Sequence, residues 1–366
     1  VVNKYEKVAA KVLAKWLKKG NMARAMRDIL PNSKLDVKER EKVAKIVHDI
    51  VRFKKLYEFA MIEEHLTTTP ENYIKLSKNK ELIKKYHLRA KALELWDIHF
   101  SSSVEVSKIL LKFPKFGELI NTEPKTHLAI NINKISRAEA FESLRQEGFK
   151  ARACTPETCI ETVSQAKYSQ VVKNNTAIVQ DSSSQHVAKI ISALGDDFVD
   201  YCAGSGGKSF TLKFFKPDAK VYVHDINDKK IAALFARAEK LDVQVEVLGK
   251  DGEHEVVLVD APCSGLGSAA RNPEAKYQEN LQRFPEMQAQ ILNEAKTLVA
   301  PGGFLVYVVC TFNPEETYLL VEKFLTENSD FEEIELAGGD FVRKKRRGFF
   351  ITSGDVIYTA MLRKNK

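Results

Sequence analysis

From about Phe198 onward the sequence alternates short, almost wholly apolar runs with amphipathic stretches. FVDY precedes a glycine turn and a helix, and KVYVHD, a helix through Leu241, VEVL, EVVLVD, a helix from Glu286 to Val299 and FLVYVVC follow. A short apolar run without polar alternation has to be covered on both faces, and its alternation with helices is what a parallel sheet between two helical layers requires. The sequence therefore predicts a doubly wound α/β domain over 161–366. Ligands are expected at the carboxyl ends of its strands, where such sheets open a crevice.

At 366 residues the chain exceeds one ordinary core, and the residues ahead of that domain have another texture. Between Lys4 and Lys19, Tyr5, Val8, Val12, Leu13 and Trp16 recur at helical spacing among lysines. A second helix opens at Asp36, with Glu39 completing a capping box, and Thr69-Pro70-Glu71 starts another. Residues 1–120 thus read as an all-helical domain. After Pro124 come a strand (THLAININ), a helix opened by Ser136 and Glu139 and closed at Gly148, and strand-like residues from Lys150. These predict a small α+β insert over 121–160.

The composition, 44% hydrophobic and 29% charged, is that of a packed globular chain. No run approaches the roughly 18 residues of a membrane span, and the amphipathic first residues lack a signal-peptide core, so a cytoplasmic location and no membrane are expected. A chain that begins at Val1 also suggests processing or trimming. The net charge is +8, and the first 100 residues hold about 23 Lys and Arg against about 13 Asp and Glu. That field favours a polyanion, nucleic acid first and an anionic membrane surface second, unless it is merely a solvated face. Cys154, Cys159, Cys202, Cys263 and Cys310 are scattered. They fit neither a disulfide framework nor a metal knuckle, so reduced thiols and no metal are expected.

The first buried strand runs into Asp200-Tyr201-Cys202-Ala203-Gly204-Ser205-Gly206-Gly207-Lys208-Ser209, and the next one ends in Asp225. Three ligands compete for this loop. Gly207-Lys208-Ser209 suits a phosphate loop, but Cys202 occupies the place of its first glycine. A dinucleotide fingerprint needs a third glycine where Ser209 stands. The adenosine of S-adenosylmethionine, with no phosphate to cradle, fits a glycine turn followed by a carboxylate for the ribose hydroxyls. EVVLVD then runs into Asp260-Ala261-Pro262-Cys263-Ser264-Gly265, and FLVYVVC into Cys310-Thr311 before Phe-Asn-Pro-Glu-Glu. Two cysteines are thereby predicted at one sheet edge, as inert packing or as chemistry.

These segments resemble the Nol/Nop/Sun family of RNA 5-methylcytosine methyltransferases, which carry Asp-Ala-Pro-Cys-Ser-Gly and a later cysteine beside Thr or Ser. The likeness extends to VQDSSSQHVAKI, Arg271-Asn272-Pro273, Lys276 and Pro301-Gly302-Gly303. REKVAKIVHDIVRFKKLYEF resembles the NusB-like RNA-binding domain attached to the family's bacterial small-subunit ribosomal RNA enzyme. The resemblance implies a Rossmann-like methyltransferase sheet behind an all-α NusB-like domain. It implies S-adenosylmethionine held by Cys202, Ala203, Gly204, Ser205, Gly206, Gly207, Lys208, Asp225, Asp251 and Asp260. It also assigns Cys310 as nucleophile, Cys263 to product release and Asp260 to the target base. A free thiol is mostly protonated at neutral pH, and Lys208 is the candidate for part of the positive field that would ionise it.

The function so implied is methylation of cytosine C5 in RNA by a monomer, on small-subunit ribosomal RNA or, alternatively, transfer RNA. A non-catalytic NusB-like RNA-binding or assembly protein and a phosphate-loop nucleotidase are the competing readings.

Overall fold

The computed structural model describes residues 3–163, 166–250, 252–335, 342–344 and 347–366. They form two compact units, one made of Val1–Glu123 and Ser268–Asn280, the other of Pro124–Gly267 and Leu281–Lys366.

The first unit is helical: α1 (Lys4–Lys19), α2 (Met22–Ile29), α3 (Val37–Arg52), α4 (Lys54–Glu63), α5 (Pro70–Ser77), α6 (Lys80–Ala92), α7 (Trp96–His99), α8 (Val104–Lys112) and α9 (Pro114–Ile120). Local chemistry sets several of the starts. Asp36 accepts from the Glu39 amide at 2.7 Å while Glu39 accepts from the Asp36 amide, the reciprocal box expected there. Thr69 caps α5 at 3.2 Å, with Pro70 in the first turn. The apolar stripe of α1 (Val8, Val12, Leu13, Trp16) is buried in one core with Val43, Val47 and Ile50 of α3.

The segment 268–280 was expected within the α/β domain, yet it completes this helical core. Glu274 accepts from the Trp16 indole at 2.7 Å and from the Met22 amide, capping α2. Lys276, with no exposed surface, donates to the Arg52 and Phe100 carbonyls at 2.7 and 3.2 Å and to Asn121 Oδ1 at 2.5 Å. The Tyr277 hydroxyl donates to the Val51 carbonyl at 2.6 Å. Buried carbonyls at helix ends need donors, and here a distant stretch of chain provides them.

The second unit holds two sheets. The smaller is antiparallel, in the order β2–β3–β1–β4, from β1 (Thr126–Ile130), β2 (Ala151–Ala153), β3 (Cys159–Thr162) and β4 (Ala177–Val179), with α10 (Arg137–Gln146) and α11 (Gln170–Lys173). It runs past the 121–160 expected of it, because β4 supplies the second neighbour of β1. The cysteine reading needs one correction: Cys154 and Cys159 are joined as a disulfide. The turn between β2 and β3 brings their Cα atoms within 5.3 Å, within the span a disulfide needs.

The larger sheet contains β5 (Asp197–Asp200), β6 (Lys220–Val223), β7 (Glu246–Val247), β8 (His254–Asp260), β9 (Val299–Val309), β10 (Phe331–Ile334), β11 (Val342–Lys344), β12 (Phe349–Ile351) and β13 (Ile357–Lys364). Its order is β11–β12–β13–β9–β8–β5–β6–β7, with β10 also paired to β13. From β7 to β9 all pairings are parallel, as the apolar runs predict, and β13 closes antiparallel on β9. The helices α12 (Ser182–Ser192), α13 (Gly207–Phe215), α14 (Asp228–Leu241), α15 (Arg283–Ala295) and α16 (Tyr318–Glu327) accompany it. The helix expected over Glu286–Val299 lies earlier. Val299 is instead the buried first residue of β9, where its β-branched side chain suits a strand.

Because β5 leads outward to β6 and β7 while β8 leads the other way to β9, the chain order reverses between β5 and β8. The carboxyl ends of these two strands form the switch-point crevice. Among the described residues no helix is long and apolar enough to cross a membrane.

Candidate active site

The loop from β5 to α13 is folded around its glycines. Gly206 sits at φ +80°, and a Cβ there would lie 2.5 Å from the Phe210 ring and 2.8 Å from Leu234. The Ala203 amide donates to the His224 carbonyl at 2.9 Å, tying the loop to the end of β6. The Gly204 amide donates to Asp225 Oδ2 at 3.0 Å, and the Asn227 amide to Asp225 Oδ1. Lys230 adds an ion pair with Asp225 at 3.3 Å. Ile226, 96% exposed, projects apolar surface beside this carboxylate. Cys202 is half-buried, its thiol pushed up to about 12 by burial and by Asp200, Asp260 and Asp225. Ser205 is exposed, its carbonyl accepting from Arg237 at 2.6 Å. Gly207 and Lys208 begin α13.

Lys208 turns inward and places Nζ 2.5 Å from Asp260 Oδ2. Burial works against its charge, but the Asp260 carboxylate outweighs that and holds the amine above its ordinary range. Asp260 ends β8, and the chain then carries Cys263; Cys310 immediately follows β9, the adjoining strand. The expected meeting of the two cysteines is what the β8–β9 pairing produces. Burial pushes the Cys310 thiol well up, Cys263, Asp355 and Asp260 add to it, and Lys208 pulls the other way. The Cys263 thiol is raised to about 12 by burial and Glu316, against hydrogen bonds from the Gly265 and Cys310 backbone. Lys208 favours the Cys310 thiolate, and burial outweighs it. Asp251 lies outside the described residues.

Four groups that sequence reasoning did not single out also belong here. Asp200, fully buried at the end of β5, accepts from the Ser209 hydroxyl at 2.6 Å. Asp355 is buried in the turn before β13, and its backbone is fixed by Asp181 and Ser183. Glu316 and Gln288 lie behind the cysteine loops. The second of two glutamates after Asn313-Pro314 beyond Cys310 was the available signal for Glu316, but its partners Ser264 and Gln288 are remote in sequence.

The chemistry of the donor set discriminates among ligands. The glycine cradle, the Asp225 carboxylate and the apolar Ile226 suit an adenosine moiety, whereas the loop's lysine is already committed to Asp260 and leaves a triphosphate poorly neutralised. Among the described residues no group of three or more His, Cys, Asp or Glu is arranged to hold a metal ion.

A doubly wound sheet with this loop at its switch point is a Rossmann-like methyltransferase fold. Residues 191–357 match the family described as 16S rRNA methyltransferase RsmB/F, in line with the resemblance drawn from the two cysteine motifs. Among curated relatives, a Bacillus subtilis protein described as "Probable ribosomal RNA small subunit methyltransferase B" is 31% identical over 230 residues, 57% of this chain and 51% of its own length. The ribosomal RNA small subunit methyltransferase B of Klebsiella pneumoniae strain 342 is 28% identical over 229 residues, 58% of this chain and 53% of that protein. The chain spans about half the length of the curated relatives it matches. Among solved structures, PH0851 superposes with a TM-score of 0.75 at 19% identity, covering 100% of this chain and 99% of its own. NSun6 from Pyrococcus horikoshii, solved with SFG, gives a TM-score of 0.60 at 14% identity over 75% of this chain and 97% of its own. Both likenesses are of fold.

Proposed function

We propose that this protein methylates cytosine C5 in RNA, with small-subunit ribosomal RNA as the substrate. The observation that carries the reading is the pair of half-buried free cysteines at the ends of β8 and β9, beside the Lys208–Asp260 ion pair. Residues 202–208 with Asp225, Asp260 and Asp251 would hold S-adenosylmethionine, which would supply the methyl group as an electrophilic sulfonium and leave as the neutral thioether.

Cytosine C5 is a poor carbon nucleophile. Addition of the Cys310 thiolate to C6 converts the ring to an enamine, and the C5 lone-pair density so created takes the methyl group. Asp260, hydrogen-bonded to the Lys208 ammonium, relays a proton from it to N3 of the base, where negative charge accumulates on addition. Loss of the C5 proton to a solvent water then re-forms the C5=C6 double bond and expels Cys310 as a thiolate, and Cys263, kept as a thiol, assists that release by donating a hydrogen bond to the departing sulfur. The basic helical residues supply phosphate contacts.

In the test, Cys310→Ala abolishes methyl transfer and forms no adduct. Cys263→Ala still adds and methylates, so a covalent protein–RNA species accumulates on a denaturing gel. Unpaired RNA is the proper substrate, since the base must leave its stack for sulfur to reach C6. The reverse pattern would exchange the two roles. Inertness of both cysteines, with neither methyl transfer nor adduct from the parent protein, leaves the non-catalytic RNA-binding reading, and bisulfite sequencing with and without the gene separates ribosomal from transfer RNA.

A further inference from the structure

Beyond Cys310 the chain enters Thr311-Phe312-Asn313 and a short 3-10 turn at Pro314–Glu316. Glu316 has no exposed surface. Its Oε2 accepts from the Ser264 amide at 2.8 Å and from Gln288 Nε2 at 3.1 Å, while Oε1 accepts from Asn313 Nδ2 at 3.1 Å. Gln288 donates onward to the Pro262 carbonyl at 2.9 Å. The Ser264 and Thr311 hydroxyls bond each other at 2.8 Å, and the Tyr307 hydroxyl donates to the Glu316 carbonyl at 2.8 Å. One carboxylate thus binds the residue after Cys263, the loop after Cys310 and α15, three segments distant in sequence.

We infer that Glu316 is the positioning residue of this site, fixing the Cys263 loop against the Cys310 loop through donors from both and setting a negative charge behind Cys263. The inference rests on the two-cysteine reading above. A carboxylate is acceptor-only, and these partners are donors, so the arrangement uses its capacity without a cation. A buried charge held only by neutral donors is costly and has to be kept in place by the surrounding structure. Here its field falls on Cys263. Among the described residues, the other ionisable groups that act on or are acted on by that thiol are Asp260 at the end of β8, Cys310 just beyond β9 and Tyr307 within β9. All are acidic groups, so nothing in that set relieves the effect of Glu316. The result is a pair in which Cys263 is held as a proton-bearing thiol, while Cys310 has Lys208 to favour its ionisation.

The test compares Glu316→Gln and Glu316→Ala in the full chain. Glu316→Gln keeps the volume and removes the charge. Cys263 alkylation by iodoacetamide, followed by peptide mass spectrometry across pH 7–10, is expected to run about tenfold faster at each pH, because a tenfold rise in thiolate corresponds to one unit of pKa. Glu316→Ala also cuts the tie. Its turnover on RNA is expected to fall about a hundredfold with KM for S-adenosylmethionine within twofold, and Glu316→Gln to recover at least tenfold of that loss. If the alanine variant does not fold, the glutamine variant decides alone. A wild-type alkylation profile in Glu316→Gln overturns the inference, as does a loss of turnover matched by equal loss of cofactor binding. The alkylation measurement needs no substrate. Methyl transfer that survives Cys310→Ala would therefore overturn the proposed chemistry while leaving the role of Glu316 separately measured.

Discussion

Asp200 shows how the site's single charges trade stability for placement. Its side chain is buried, Oδ2 accepts from Ser209, and Oδ1 has no hydrogen-bond partner. Burial raises the carboxyl to about 6, with Asp260 and Asp225 adding to the effect against Ser209 and Lys208. A folded pKa above the unfolded value means that the native state binds the proton more tightly. The contribution is therefore fully present below about pH 4 and is lost as pH rises through 6. At pH 8 the buried charge costs about 3 kcal/mol on this basis. Asp200→Asn is thus expected to resist urea better than the parent at pH 8, by about 2 to 3 kcal/mol, and to lose the advantage at pH 4. Equal gains at both pH values would mean that packing, not charge, is responsible.

Gly267 plays the corresponding part among elements. Its amide donates to the Cys310 carbonyl at 2.9 Å and its carbonyl accepts from the Val356 amide at 3.0 Å, joining the end of β9 to the start of β13. A Cβ there would stand 1.9 Å from the Val356 oxygen and 3.1 Å from the Cys310 carbonyl carbon. Gly267→Ala has to part those strands by an ångström or more. Such a misplacement costs a reaction about a hundredfold, so methyl transfer is expected to fall on that order while calorimetry shows S-adenosylhomocysteine bound as before. Equal loss of both would place the damage in the fold at large. Elements of this kind divide by how local their causes are. The capping boxes at Asp36 and Ser136 are written within four residues, and the matching helices start where the sequence places them. The buried strands, too, announce themselves by their apolar runs. Glu316, by contrast, bonds Ser264 and Gln288, and no spacing rule links positions that far apart. The glycine at 267 likewise reads as one turn residue among many until Val356 is seen against it.

On the scale of the molecule, the helical unit is discontinuous in sequence, and Lys276 is its most buried charge-bearing link. Burial, with Arg52 nearby, pushes its amine well below the usual lysine range. Lys276→Met removes the donor from three acceptors at once, and leaving buried carbonyls unpaired costs about 1 to 3 kcal/mol apiece. Hydrogen exchange is expected to quicken at the end of α3 and around Phe100 and Asn121, with β5 and β8 unaffected. Uniform acceleration through both sheets would show that the segment 268–280 supports the whole molecule and not the helices. The same discontinuity sets a schedule on the ribosome. At about 5 to 20 residues per second, roughly 10 to 30 s separate the synthesis of α9 from that of Lys276. For that interval the nascent helices are without the glutamate that caps α2 and the amine that closes α3, and a holding chaperone would meet an unfinished core waiting for thirteen residues still inside the peptidyl transferase's future.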